Sequence, residues 1–150
     1  MGGMIAAEMA WTDLRDVPKN LKSERDRSLI EHIRGVTRMA LALCEIALSS
    51  GVGIRLEEAE IPVREEVRGA CELLGFDPLY VACEGRFLAI VPGEHADRAL
   101  AAIRSQPGGE GAKRIGSVVA EDSGRLVLRT RIGSHRLLER LSGEQLPRIC

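Results

Sequence analysis

Apolar residues along this chain switch between two periods, and the switches mark its elements. Leu29, Ile30, Ile33, Val36, Ala40, Leu43, Cys44, Ala47 and Leu48 recur at spacings of three and four, which places them on one face of a helix over about 28–49. Gly51 suits the left-handed residue that follows a helix end. Val52, Ile54 and Leu56 then alternate with Gly53, Arg55 and Glu57, and this period of two predicts a strand over 52–61. Pro62 suits a helix first turn, and a second helix is predicted over 63–74, closed by Gly75. Asp77-Pro78 turns the chain into a short apolar strand over 79–83. Glu84-Gly85-Arg86 separates it from another over 87–91, so the pair reads as a tight hairpin. Pro92-Gly93 leads into a third helix over 94–104, with Ala96, Ala99, Leu100 and Ile103 on one side. Two further strands are predicted over 114–120 and 125–131, and a last apolar stretch covers 137–141.

That order of elements implies an α/β domain (an α+β layer), a mixed sheet covered by at least three helices. The periodic part spans 28–141. Residues 1–27 are poorly specified, with the turn-like polar run Pro18-Lys-Asn-Leu-Lys-Ser inside them. Residues 142–150 read as a flexible tail: Ser142-Gly143-Glu144 is polar and Pro147 cannot continue a helix.

Composition narrows the class. The 150 residues are enough to bury one core, and aromatics are only 3%, so Leu, Ile, Val and Ala must fill it. The formal net charge is −1 and no Lys/Arg run exceeds two residues, which argues against a nucleic-acid partner. The start lacks the basic segment and longer apolar run of a signal peptide, and no stretch approaches the ~18 apolar residues of a membrane span. Cytoplasm, without a membrane partner, is the expectation.

The four cysteines, Cys44, Cys71, Cys83 and Cys150, show no metal-site spacing, and none of His32, His95 and His135 has a companion ligand. No metal is expected. Cys44, Cys71 and Cys83 sit in apolar runs, as small buried hydrophobes do. Cys150 is the last residue, either an ordinary exposed thiol or a carrier that a mobile arm takes between sites. Its neighbouring α-carboxylate disfavours thiolate, so a reactive role needs a docking site with positive charge or a base. Glu84 is either a solvated turn carboxylate or a general base tuned by partial burial. Gly51-Val-Gly53 is only a fragment of a phosphate-binding loop, and neither common nucleotide motif is present.

Four stretches then match one family. Ile61-Pro-Val-Arg-Glu-Glu-Val-Arg-Gly-Ala-Cys-Glu-Leu-Leu-Gly75, Asp77-Pro78-Leu79, Glu84-Gly85 and the ending Pro147-Arg148-Ile149-Cys150 resemble the HypE hydrogenase maturation proteins, in order from about Val36 to the end. The resemblance is to the C-terminal half. It implies the fold of the aminoimidazole ribonucleotide synthetase superfamily, in which a nucleotide-binding half precedes this one. It also implies a carrier role for Cys150, carbamoylated by a HypF-type transferase and dehydrated with ATP and Mg to a thiocyanate. The cyanide passes to iron on a HypC–HypD complex. Glu84 then falls in the family's Asn-Glu-Gly-Lys motif as a base near the docked tail.

The family's Asp-x-Thr-Arg-Gly-Gly-Leu-Ala reads here as Gly35-Val36-Thr37-Arg38-Met39-Ala40-Leu41-Ala42. Thr37 and Arg38 remain as cofactor-binding candidates, but Met39 crowds a phosphate where the family has glycine. Cys83 and Arg86 replace the Asn and Lys around Glu84-Gly85. With no nucleotide-binding half in the sequence, the expectation is a fragment, a truncated gene or an inactive paralogue. Alone it is expected to be inactive and to bind ATP weakly or not at all. A homodimer, or a nucleotide-binding half in trans, would be a further partner. The other class of function is a non-catalytic module that docks on maturation partners.

Overall fold

A computed structural model describes residues 2–8, 38–82 and 86–140. It contains β1 (Gly2–Glu8), α1 (Met39–Ser50), β2 (Gly53–Glu57), α2 (Glu65–Leu74), β3 (Arg86–Pro92), α3 (Ala96–Arg104), β4 (Lys113–Val119), β5 (Leu126–Arg129) and β6 (His135–Leu138). Single 3-10 turns cover Glu58–Glu60 and Gly93–His95. The strands form one six-stranded sheet in the order β3-β1-β4-β2-β5-β6. Every neighbouring pair is antiparallel except β2 with β5, so the sheet is mixed, as the sequence predicts.

Helix α1 forms because Met-Ala-Leu-Ala-Leu are good helix formers and its apolar residues repeat correctly. Ala40, Leu43, Cys44 and Ala47, at i, i+3, i+4 and i+7, are buried against the sheet. They meet Ile54, Leu56, Ile115, Leu126, Leu128 and Leu138 in the main core. The predicted helix over 28–49 is seen from Met39; its part over 28–37 lies outside the described residues. Gly51 ends it with φ 63°, its N–H reaching the Ala47 carbonyl.

Strand β3 explains how the second helix layer is held. Leu88 and Ile90 pack on the main core, whereas Phe87, Ala89 and Val91 pack with Ala99, Leu100 and Ile103 around buried Ala112. Alternate residues of one strand point to opposite faces, so α1 and α3 cover opposite sides of the sheet. A strand covered on both sides reads as a continuous apolar run, here Phe87 to Val91.

Two expectations fail. The predicted strand over 79–83 is a turn as far as it is described, and no hairpin joins it to β3. Strand β3 pairs instead with β1, in a segment where no strand was expected. The apolar character of Leu79 and Tyr80 has another cause: Leu79 is buried in the main core and Tyr80 packs against it. Strands β4 and β5, consecutive in sequence, are separated in the sheet by β2.

Replacing Leu43, which is fully buried, with Ala should cost about 2–5 kcal/mol in urea unfolding, the range for an emptied leucine site. Leu73→Ala on α2, where the side chain is 86% exposed, should stay within about 0.5 kcal/mol.

Candidate functional site

Of the residues singled out by sequence, Arg38 is described. Thr37, Glu84, Pro147, Arg148, Ile149 and Cys150 lie outside the described residues, as do Gly35 and Cys83. What the structure defines is the chain on either side of them. Arg38 caps α1 from an extended conformation, and its carbonyl accepts the Ala42 N–H at 3.1 Å. Tyr80 to Ala82 lead into Glu84. Leu138 to Arg140 lead into the tail.

These three approaches meet at the turn Asp77-Pro78-Leu79-Tyr80. Asp77 folds the turn on itself: its Oδ1 accepts the Leu79 N–H at 2.9 Å and its carbonyl accepts the Tyr80 N–H at 2.9 Å. Its Oδ2 accepts from the Arg136 guanidinium at 2.6 Å, which joins the turn to β6. The Leu79 carbonyl accepts the Ala40 N–H at 3.0 Å, which joins it to the start of α1. Tyr80 joins it to the end of β6, donating its hydroxyl to the Glu139 carbonyl at 2.9 Å and accepting the Glu139 N–H at 3.1 Å.

The residues just before the tail are tied down one after another. Cys44 donates its S–H to the Leu138 carbonyl at 3.3 Å, Tyr80 holds Glu139, and Arg140 lies 3.7 Å from Glu45 on α1. Burial pushes the Cys44 thiol above its ordinary value; nearby Arg140 opposes the shift, and Glu139 and Glu45 add to it. Tyr80 is also raised, first by burial, against the lowering effect of its bond to Glu139. Both groups therefore stay neutral and able to donate at neutral pH. Cys44 and Cys71 are buried and free, as expected of small hydrophobes, although Cys44 also works as a donor.

The start of α1 is a poor fit for a nucleotide phosphate. A helix N-terminus holds an anion through its unpaired N–H groups, and the Ala40 N–H is already bonded to Leu79. Met39, half-buried against the core, adds a long side chain at the same helix start. The cleft beside the turn, bordered by Glu58, Arg68, Asp77, Arg131 and Arg136, encloses about 50 Å³, far too little for a nucleotide. Among the described residues no group of three or more His, Cys, Asp and Glu side chains is placed to hold a metal. No helix among them is long and apolar enough to cross a membrane.

Gly51-Val-Gly53, a loop fragment by sequence, serves the fold. Gly51 closes α1, and a Cβ on Gly53 would lie 1.9 Å from the Glu121 carbonyl oxygen. His95 is half exposed beside Glu94 at 3.6 Å. Glu58 does more than face solvent: its Oε2 accepts the Arg131 N–H at 3.0 Å and steadies the β5–β6 connection. Sequence reasoning missed Asp77, Tyr80 and Glu139. Asp-Pro signals a turn, but nothing in a single sequence pairs Tyr80 with a residue 59 positions away.

Residues 7–129 match the family model of the AIR synthase related protein, C-terminal domain. The chain belongs to that family. The family's fold accounts for the mixed sheet and its helices. Among individual relatives, the chain is 52% identical over 123 residues to the carbamoyl dehydratase HypE of Azotobacter vinelandii, an alignment covering 81% of this chain and 36% of that protein. It superposes on a crystal structure of the hydrogenase maturation protein HypE in complex with ATP, with a TM-score of 0.76 and 35% identity, covering 99% of this chain and 52% of that one. A HypE–HypF complex matches with a TM-score of 0.71 and 28% identity, covering 93% and 53%. The chain thus spans about a third of the length of the curated relative and about half of each solved chain.

Two outcomes are expected from this geometry. Calorimetry of the chain alone with Mg-ATP should show no micromolar binding, since the α1 start offers no phosphate cradle. Stability should fall as the pH rises into the alkaline range. A thiol whose folded pKa is raised contributes stability that is complete below its unfolded pKa and lost as the pH climbs through the folded one. Urea unfolding should show this decline, and Cys44→Ala should flatten it.

Proposed function

We propose that this chain is the carrier half of a carbamoyl dehydratase that serves nickel–iron hydrogenase maturation. The observation that carries the reading is 52% identity to such a dehydratase over four fifths of the chain. The ending Pro147-Arg148-Ile149-Cys150 supplies the chemistry. The Cys150 thiol accepts a carbamoyl group from a HypF-type transferase: the sulfur–carbon bond forms as the transferase-bound donor's own bond to the carbamoyl carbon breaks, and the thiol proton passes to the departing group. Loss of the carbamoyl oxygen and two amide protons, formally one water, converts that thiocarbamate to a thiocyanate. Glu84 is the base that takes protons as the oxygen leaves. The oxygen is activated with ATP on a nucleotide-binding half, and the cyanide goes to iron on a HypC–HypD complex in the cytoplasm.

Residues 142–150 act as the arm, because one sulfur must visit a transferase, an ATP site and an acceptor. The tied-down residues 138–140 support this division, since an arm delivers its end reproducibly only from a fixed root. A second reading, a docking module that performs no dehydration, is favoured by the α1 start, where Met39 and the bonded Ala40 amide replace a phosphate-facing turn.

Incubation with the transferase, carbamoyl phosphate and ATP, followed by mass spectrometry, should show one carbamoyl adduct, on Cys150. A folded sample that gains none would reject the carrier role. Glu84→Gln should accept the adduct as the unaltered chain does, yet give no thiocyanate once a nucleotide-binding half is added. Thiocyanate formed without that carboxylate would remove Glu84 from the mechanism.

A further inference from the structure

The cleft beside the Asp77 turn gathers more positive charge than the fold uses. Arg68 from α2, Arg131 from the β5–β6 connection and Arg136 from β6 border it, together with the carboxylates of Glu58 and Asp77. Both carboxylates are engaged. Asp77 accepts the Leu79 N–H on one oxygen and the Arg136 guanidinium on the other, and Glu58 accepts the Arg131 backbone N–H. Three cations against two anions leave one positive charge over.

Donors outnumber acceptors as well. A guanidinium carries five N–H groups in a planar fork and accepts nothing. The Arg68 side chain is only 25% exposed, yet its ion-pair partner Glu65 stands 3.7 Å away, beyond hydrogen-bond distance, and is 89% exposed. A guanidinium so covered has given up much of its water, and an acceptor in the cleft would replace it. Glu58 grips Arg131 by the backbone, so the connection is held whatever side chain stands at 131. The enclosed space is about 50 Å³. At about 10–15 Å³ for each water-sized position, that is room for roughly four non-hydrogen atoms. Ile61 and Leu79, both buried, also line it.

We propose that this cleft binds a small monocarboxylate, gripped by Arg68 and Arg131 beside the Arg136 that Asp77 holds in place. A planar carboxylate matches a guanidinium fork, its single charge balances the one left over, and a short apolar end suits Ile61 and Leu79. A dianion would set excess negative charge against Glu58 and Asp77. The site uses neither Glu84 nor Cys150 and stands apart from the carrier reading. It has a consequence for α2, of which only Cys71 is buried: a ligand on Arg68 ties that helix to the β5–β6 side of the sheet.

Acetate is the probe, titrated into the full chain at pH 7 with chloride holding the ionic strength constant. Backbone amide signals around Arg68, Arg131 and Arg136 should shift and saturate together, with a Kd on the order of 1 mM. Amides of α2 should exchange more slowly in saturating acetate, and the melting temperature should rise more than in equal chloride. Arg68→Gln and Arg131→Gln should each weaken acetate binding by about tenfold, the size expected for a lost charge-assisted hydrogen bond. Inorganic phosphate, larger and largely dianionic at this pH, should bind more weakly than acetate. Shifts that never saturate, an equal response to chloride, or unchanged affinity in either folded variant would overturn the site. Phosphate binding tighter than acetate would overturn the choice of a monocarboxylate.

Discussion

Strand β2 is the part on which the rest of the molecule depends. It lies inside the sheet, between antiparallel β4 and parallel β5, and follows directly on α1. Its Ile54 and Leu56 are fully buried, and a one-residue slip would turn both to the opposite face. The register is secured at both ends. At the start, Ile54 donates its N–H to the Arg125 carbonyl and Gly124 donates its own to Val52. At the end, Glu58 holds Arg131 just past β5. Because α1 runs into β2 through the single turn at Gly51-Val52, fixing β2 also fixes the helix over the sheet. The salt bridge from Arg55 to Asp122, at 2.8 Å but largely exposed, adds little beside that packing.

This arrangement sets where the candidate groups can meet. Helix α1 delivers Arg38 at its start and Cys44 and Glu45 on later turns. Strand β6, paired to β5, delivers Arg136 at one end and Glu139 just beyond the other. The turn at Asp77–Tyr80 lies against both and borrows hydrogen bonds from each. A segment of four residues with one buried side chain would be weak by itself. Here it is determined by partners on two elements that the core has already placed.

Much of this was legible from residue order, and the reasons for success differ from those for failure. Helix ends were readable because Gly51 and Gly75 satisfy a local backbone requirement, with φ 63° and 70°. Strands β2, β4 and β5 were readable because one buried face imposes alternation. The supposed hairpin over 79–91 failed because periodicity cannot separate an apolar turn from a short strand when one anchor, Leu79, does the burying. Strand β1 escaped because its pairing partners, β3 and β4, lie more than 75 residues away in sequence. The family resemblance pointed to Glu84 and Cys150, whereas Tyr80 and Glu139, which connect their surroundings, carry no local signature at all.

The contrast between the two ends of the candidate site has a physical explanation. Binding a phosphate requires open backbone, and a single larger side chain such as Met39, or one amide already bonded as in Ala40, is enough to spoil it. Presenting a thiol on an arm requires only that the root be firm and the end free. That root is built from the core itself: Leu138 is almost fully buried, Cys44 sits on the buried face of α1, and Tyr80 follows a core leucine. The residues that lead into the end of the chain are therefore fixed by the same packing that holds α1 and β6 to the sheet.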